Sequence, residues 1–371
     1  MGLSCLFLLS NAWRKNWVAL TYRQVGSEEF MRWITTLEKT LANSSKNRKL
    51  RQEGLLFPSA QTWFITDECT KHCAGCPNAD GKLDGDMSED DWVALGQESI
   101  KFGCMIAMIL GGEPMLKKEM VKRIKQRLGN QMLFLVFTNG DLITDQDMQD
   151  FRRLGIALAV NIGSGRKSDD GALRTLQLAK KHGVMAGASI TITQQNYKQV
   201  TSQAYMDWLV LQGALFAFHF HYVPTGCDAD QRFTLQGDTF YDVERRLIAL
   251  RGPIRVIHYS QCRAAHALAS VDLDGNVKLC AFCGGKKSVG NVLGSSMLDV
   301  FNNDRFGQLR RLNKGQACMV LQHTDRLGEL GYLPAKTVQA VNQCQYPRGY
   351  IRRPGWWHEL SVRLRDWAWA R

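Results

Sequence analysis

The stretch Trp63-Phe64-Ile65-Thr66-Asp67-Glu68-Cys69-Thr70-Lys71-His72-Cys73-Ala74-Gly75-Cys76 opens with a short apolar run that reads as a strand. The strand leads into three cysteines spaced C-x3-C-x2-C. A structural zinc or an ordinary iron–sulfur cluster takes four protein ligands. Here the next cysteine is Cys104, well beyond the loop. The spacing therefore suggests a cluster with one iron left without a protein ligand, where a small molecule can bind and react. Three surface thiols, or two zinc ligands beside a bystander, are the plainer readings of a motif this short.

The following segments bear on the choice. Ile106–Leu110 is a continuous apolar run, the pattern of a strand buried on both faces, and it ends in Gly111-Gly112-Glu113-Pro114. Glycines allow close backbone approach, a carboxylate suits an ammonium, and proline stiffens the exit. A third run, Met132–Phe137, ends in Thr138-Asn139-Gly140. In this order the three segments resemble the radical S-adenosylmethionine (SAM) superfamily. The resemblance implies a 4Fe–4S cluster on Cys69, Cys73 and Cys76 whose open iron is chelated by SAM. Reductive cleavage of SAM would then give a 5′-deoxyadenosyl radical. It also implies that Gly111, Gly112, Glu113 and Pro114 bind the SAM amino group, with Thr138 and Asn139 near its ribose and methionine. The chain departs from the family at Gly75, where an aromatic residue usually precedes the third cysteine.

Strands and helices keep alternating. Helices are expected at Glu89–Phe102, Lys117–Leu128, Asp145–Leu154, Asp170–His182 and Ser202–Gln212, and strands at Ile156–Ile162, Val184–Thr191 and Leu215–Val223. Six βα units between about 60 and 250 imply an α/β fold, a parallel sheet with its helices outside and its site at the C-terminal strand ends. The resemblance makes this a partial (β/α)6 TIM-like barrel over 56–255. It also puts Asn161, at the end of the fourth strand, near the SAM ribose. His219 and His221 share one face of the sixth strand. They read as SAM or substrate contacts, as a proton relay, or as hydrogen-bonded core residues. Pro224 and Gly226 suit the turn that follows.

A second group of cysteines follows the pattern C-x12-G-x4-C, from Cys262 through Gly275 to Cys280. Ala269–Cys280 reads as a hairpin turning at Asp274-Gly275. With Gly290–Leu293 and a helix over Met297–Phe301, this resembles a SPASM or twitch module, a small C-terminal α+β iron–sulfur domain, here at 256–345. Cys283, Cys318 and Cys344 add further thiols. The favoured set for one auxiliary 4Fe–4S cluster is Cys262, Cys280, Cys318 and Cys344, with Cys283 as the competing ligand; zinc is the alternative metal.

The chain has 371 residues, long enough for one large domain and a smaller one. Eleven cysteines, eight of them grouped as ligands and Cys5, Cys104 and Cys227 scattered, do not form a secreted disulfide framework. A reducing, cytoplasmic setting is expected. No apolar run approaches a membrane span, and Leu3–Leu9 lacks the flanks of a signal peptide. The stretch Ala42–Arg51 is expected to separate an N-terminal helical extension, 1–55, from the barrel. The net charge of +12 concentrates at the two ends, which also hold Trp13, Trp17, Trp33, Trp356, Trp357, Trp367 and Trp369. As a helix, 346–371 would gather Trp356, Trp357, Leu360, Leu364 and Trp367 on one face. Basic residues with tryptophan suit an anionic membrane surface, although such helices can equally pack on the barrel. No recognisable nucleic-acid module concentrates the charge.

These readings point to a radical SAM enzyme acting on an unactivated C–H bond. Its substrate is expected to be a peptide, or alternatively a lipid or lipid-linked molecule at a membrane surface, and its reductant a flavodoxin or ferredoxin. A non-enzymatic metal-binding interaction protein would leave the glycine-rich strand end unexplained.

Overall fold

The computed structural model describes residues 12–73, 75–76, 85–163, 169–225, 229–258, 262–283, 287–313 and 318–344. The basic, Trp-rich helix expected at 346–371 lies outside these residues, as do Cys5, Cys227 and Gly226. None of the described helices is long and apolar enough to cross a membrane.

Among the described residues ten strands form one sheet: β1 (Ala60–Phe64), β2 (Ile106–Leu110), β3 (Leu133–Thr138), β4 (Ile156–Asn161), β5 (Ala186–Ile192), β6 (Phe216–His221), β7 (Arg255–His258), β8 (Leu268–Val271), β9 (Asn276–Lys278) and β10 (Gly290–Asn291). The order is β10-β9-β8-β1-β2-β3-β4-β5-β6-β7, an unclosed barrel with β1 to β7 parallel and in sequence. β7 extends the six expected strands to seven. At the opposite edge β8 pairs parallel to β1 and turns back through β9, so the C-terminal hairpin continues the barrel sheet.

The helices form where the sequence supplies their ends. Ser88 and Asp91 make a capping box for Glu89–Lys101, and Thr144 and Asp147 do the same for Asp145–Leu154, which stops at a left-handed Gly155. Ala42–Arg51 is not a break: the helix Ser27–Gln52 runs through it, with no glycine or proline to stop it, and Asn47 donates to the Phe57 carbonyl at 2.9 Å.

Alternation along the strands produces two cores. The outer one packs Trp63, Ile109, Val136, Leu158 and Ile190 under the helices, with the Trp63 ring tilted at 31° to that of Trp92, 5.4 Å away. The inner one holds Ala157, Ala159, Phe216 and Phe218. Phe137 of β3 reaches across the barrel to Phe218 and Phe220 of β6 at 5.8 and 6.1 Å. Below, Leu20, Val25 and Phe30 of the N-terminal helices pack against this core. The barrel therefore has an apolar floor, and its site lies above it.

Candidate active site and auxiliary thiol cluster

The cysteine loop leaves β1 and is held by the exits of β2 and β3. Gly112 N–H donates to the Thr66 carbonyl at 2.8 Å and Glu113 N–H to the Glu68 carbonyl at 2.7 Å. A Cβ on Gly111 or Gly112 would overlap the Thr66 or Glu68 carbonyl, so this approach requires glycine at both positions. Asn139 donates to Thr70 at 3.0 Å, and Lys71 pairs with Asp141 at 3.1 Å. Within the loop, Lys71 N–H points at Cys69 Sγ (3.4 Å), and Cys76 N–H closes a turn on the Cys73 carbonyl (3.2 Å). Cys69, Cys73 and Cys76 are not in disulfides.

Glu113 is buried, and its carboxylate accepts from Met115 N–H (3.0 Å), the Thr138 hydroxyl (2.7 Å) and Asn139 N–H (2.8 Å). The charge is thus fixed between two strand ends, and Pro114 opens a short 3-10 turn beside it. Asn161 faces the inside from the end of β4, and its Oδ1 is buried without a hydrogen-bond partner among the described residues. A buried acceptor of this kind suits a ligand hydroxyl. Three thiols, a fixed carboxylate and an open amide oxygen fit an Fe–S cluster carrying SAM.

Gly75 explains its own departure from the usual aromatic residue. It adopts φ +67, and a Cβ there would overlap the ring of Tyr222, just beyond β6. The Tyr222 hydroxyl accepts from Asp230 N–H at 3.0 Å, and its ring stands edge-on to Phe233 at 5.6 Å. Burial raises the Tyr222 pKa, the hydrogen bond from Asp230 N–H opposes this, and the charges of Asp230, Cys344 and Cys76 add to the rise. An aromatic ring therefore does reach the third cysteine, supplied from the exit of β6. Sequence reasoning missed Tyr222, for which a glycine at this position was the only local signal.

The expected role of His219 at SAM is not met. Inner positions on β6 belong to Phe216, Phe218 and Phe220, so His219 points outward, with Nε2 3.0 Å from the Val200 carbonyl. Burial pushes its pKa down to about 4 and that of His221 to about 3, so both rings are neutral near pH 7.

In the C-terminal part, Cys280 and Cys283 lie with sulfurs 3.7 Å apart. Cys283 and burial raise the Cys280 pKa well above its ordinary value. Burial and then Cys280 raise Cys262, and burial followed by Cys262 and Cys280 raises Cys318. Cys262, Cys280, Cys283 and Cys318 thus neighbour one another, and the burial that opposes ionisation of Cys262, Cys280 and Cys318 is offset when a cation such as iron binds. Cys344 is outside this group: its thiol donates to the Ala340 carbonyl at 3.2 Å, and it neighbours Thr234 and Tyr222. The structure therefore puts Cys283 where the sequence favoured Cys344.

Comparison with known proteins agrees with this geometry. The family model of the radical SAM superfamily matches residues 63–196, and that of the SPASM iron–sulfur cluster-binding domain matches 262–320. The chain belongs to the radical SAM superfamily. Membership with a SPASM domain implies SAM, a catalytic 4Fe–4S cluster and auxiliary iron–sulfur binding. Among curated relatives, Fe-coproporphyrin III synthase of Methanosarcina barkeri is 24% identical over 151 residues, 37% of this chain and 38% of that protein. The PqqA peptide cyclase of Granulibacter bethesdensis is 23% identical over 150 residues, 37% of this chain and 40% of that one. The chain thus spans less than half the length of these relatives. SuiB of Streptococcus suis bound to S-adenosylmethionine superposes with a TM-score of 0.60 at 16% identity, over 71% of this chain and 70% of that one. The structure of anSMEcpe with bound AdoMet gives 0.55 at 15% identity, over 69% and 83%.

Proposed function

We propose that this chain is a radical SAM enzyme that modifies a peptide at an unactivated C–H bond. The observation that carries the reading is the tying of the cysteine loop to the exit of β3, Thr70 to Asn139 and Lys71 to Asp141, beside the Glu113 carboxylate fixed at the exit of β2. Cys69, Cys73 and Cys76 would hold the catalytic cluster. The cluster with SAM supplies a 5′-deoxyadenosyl radical once reduced, by a small reductant such as a flavodoxin or ferredoxin. Gly111 and Gly112 let the backbone approach the SAM amino group. Glu113 meets its ammonium charge, and Pro114 stiffens this exit. Thr138 and Asn139 keep the carboxylate oriented, and Asn161 Oδ1 accepts from a ribose hydroxyl. Phe137, Phe218 and Phe220 form a floor that keeps water from the radical. Cys262, Cys280, Cys283 and Cys318 would hold one auxiliary cluster.

Support for a peptide substrate comes from the shared fold with SuiB, which is also known bound to its precursor peptide SuiA, and from the likeness to a peptide cyclase. The basic, Trp-rich ends of the chain favour a lipid or lipid-linked substrate as the second reading. The test is anaerobic release of 5′-deoxyadenosine from SAM by reduced protein, with a mass change in a short peptide encoded beside the gene. Cys73→Ala should abolish both. Cleavage that survives this change overturns the radical assignment; cleavage without any peptide change, but with a modified lipid, favours the second reading.

A further inference from the structure

Outside the barrel, at the open edge of the sheet, the last residues of β6 and β7 bring His221 and His258 together. Their Nε2 atoms are 3.0 Å apart and their ring centroids 4.8 Å apart, with the planes at 52°. Two imidazoles meeting on one straight line would hold their centroids farther apart at this separation. Each ring axis is therefore bent off the N···N line, as in two ligands of one ion. A metal at about 2.0–2.1 Å from each nitrogen would see the pair at roughly 95°, and a small opening brings it to the tetrahedral angle. Glu244, on the helix Thr239–Ala249, places Oε1 3.1 Å from His258 Nδ1. A carboxylate there takes the Nδ1 proton and leaves Nε2 with the lone pair, the usual support for a metal-binding histidine. One ligand atom from each of the three residues lies within 4.8 Å of the others. The Phe240 ring stands edge-on to His221 at 4.3 Å and shields that side.

We propose that His221 and His258 bind a single divalent first-row transition ion through Nε2, oriented by Glu244 and completed by water, at a site separate from both groups of cysteines. Imidazole with a nearby carboxylate selects zinc or its neighbours rather than magnesium or calcium. The ion would join three elements: β6, the edge strand β7 and the covering helix. Only three residues separate His258 from Cys262 in the sequence, so the ion would also hold the chain close ahead of the auxiliary thiol cluster.

The test uses full-length protein with its iron–sulfur clusters reconstituted without oxygen, cleared of loose metal, and given one equivalent of zinc. Metal analysis should find one zinc per chain beyond the iron, and zinc-edge X-ray absorption should show nitrogen and oxygen neighbours without sulfur. His258→Gln and His221→Asn should each weaken zinc binding at least a hundredfold while the iron content stays unchanged. Glu244→Gln should weaken it about 10- to 100-fold. A sulfur shell would put the zinc on cysteines and overturn the proposal, as would absence of retained zinc or retention that ignores both histidine changes. If a variant loses iron or unfolds, the absorption spectrum of the unaltered protein still decides.

Discussion

Gly75→Ala probes the joint between the cysteine loop and β6. Alanine at φ +67 costs about 1 kcal/mol relative to glycine. Its Cβ would overlap the Tyr222 ring, so that ring must move. Moving it breaks the 3.0 Å hydrogen bond from Asp230 N–H, worth about 1 kcal/mol, and the edge-on contact with Phe233, worth about 0.5–1.5 kcal/mol. The single change should therefore cost about 3 kcal/mol. In a Tyr222→Ala background the obstacle is gone, and the same substitution should cost only the backbone strain, about 1 kcal/mol. The coupling between the two sites is then about 2 kcal/mol, large enough for a double-mutant cycle. Anaerobic urea denaturation of the four cluster-loaded proteins measures it, and iron retained by the loop gives an independent readout. Additive effects within about 0.5 kcal/mol would refute the reasoning, because Gly75 and Tyr222 would then not share one space.

Three further outcomes are expected. In a chain lacking Cys69, Cys73 and Cys76, Cys344→Ser should keep about four irons and Cys283→Ser should lose them; the reverse result would restore the ligand set favoured by the sequence. His219→Leu should leave SAM affinity unchanged but lower stability by about 1–3 kcal/mol, since it strands the Val200 carbonyl, and a loss of SAM affinity would return His219 to the pocket. Burial holds His219 at about 4 against an ordinary 6.5, so the unfolded chain takes up the proton first and stability falls as pH drops through that window; the variant should lack this component of the slope. Burial alone would raise Asp147, but hydrogen bonds from Lys118 and Lys122 hold it at about 2, against an ordinary 3.8. Its contribution of about 2 kcal/mol is present above pH 4 and lost as pH falls toward 2, so Asp147→Asn should flatten urea-denaturation stability across that interval.

Much of the site was legible because its parts are local. A C-x3-C-x2-C loop, a Gly-Gly-Glu-Pro exit and a Thr-Asn-Gly exit each need only consecutive residues, and the capping residues Ser88 and Thr144 mark where helices begin. What stayed hidden depends on contacts distant in sequence. β7 is four residues long, too short to declare a period, and it is a strand only because β6 offers it an edge. Alternation gave His219 and His221 a common face but not which one. That choice follows from volume: Ala157, Ala159 and Gly187 leave room inside the barrel, and a Cβ on Gly187 would overlap Phe216. Phenylalanines from β6 fill that room, which turns the histidines outward to the place where His258 and Glu244 meet one of them. The same logic explains the missing aromatic residue before Cys76. Tyr222 already occupies the space its side chain would need, so glycine and tyrosine act as one unit divided between the cysteine loop and the exit of β6, and the motif looks incomplete only when its eight residues are read alone.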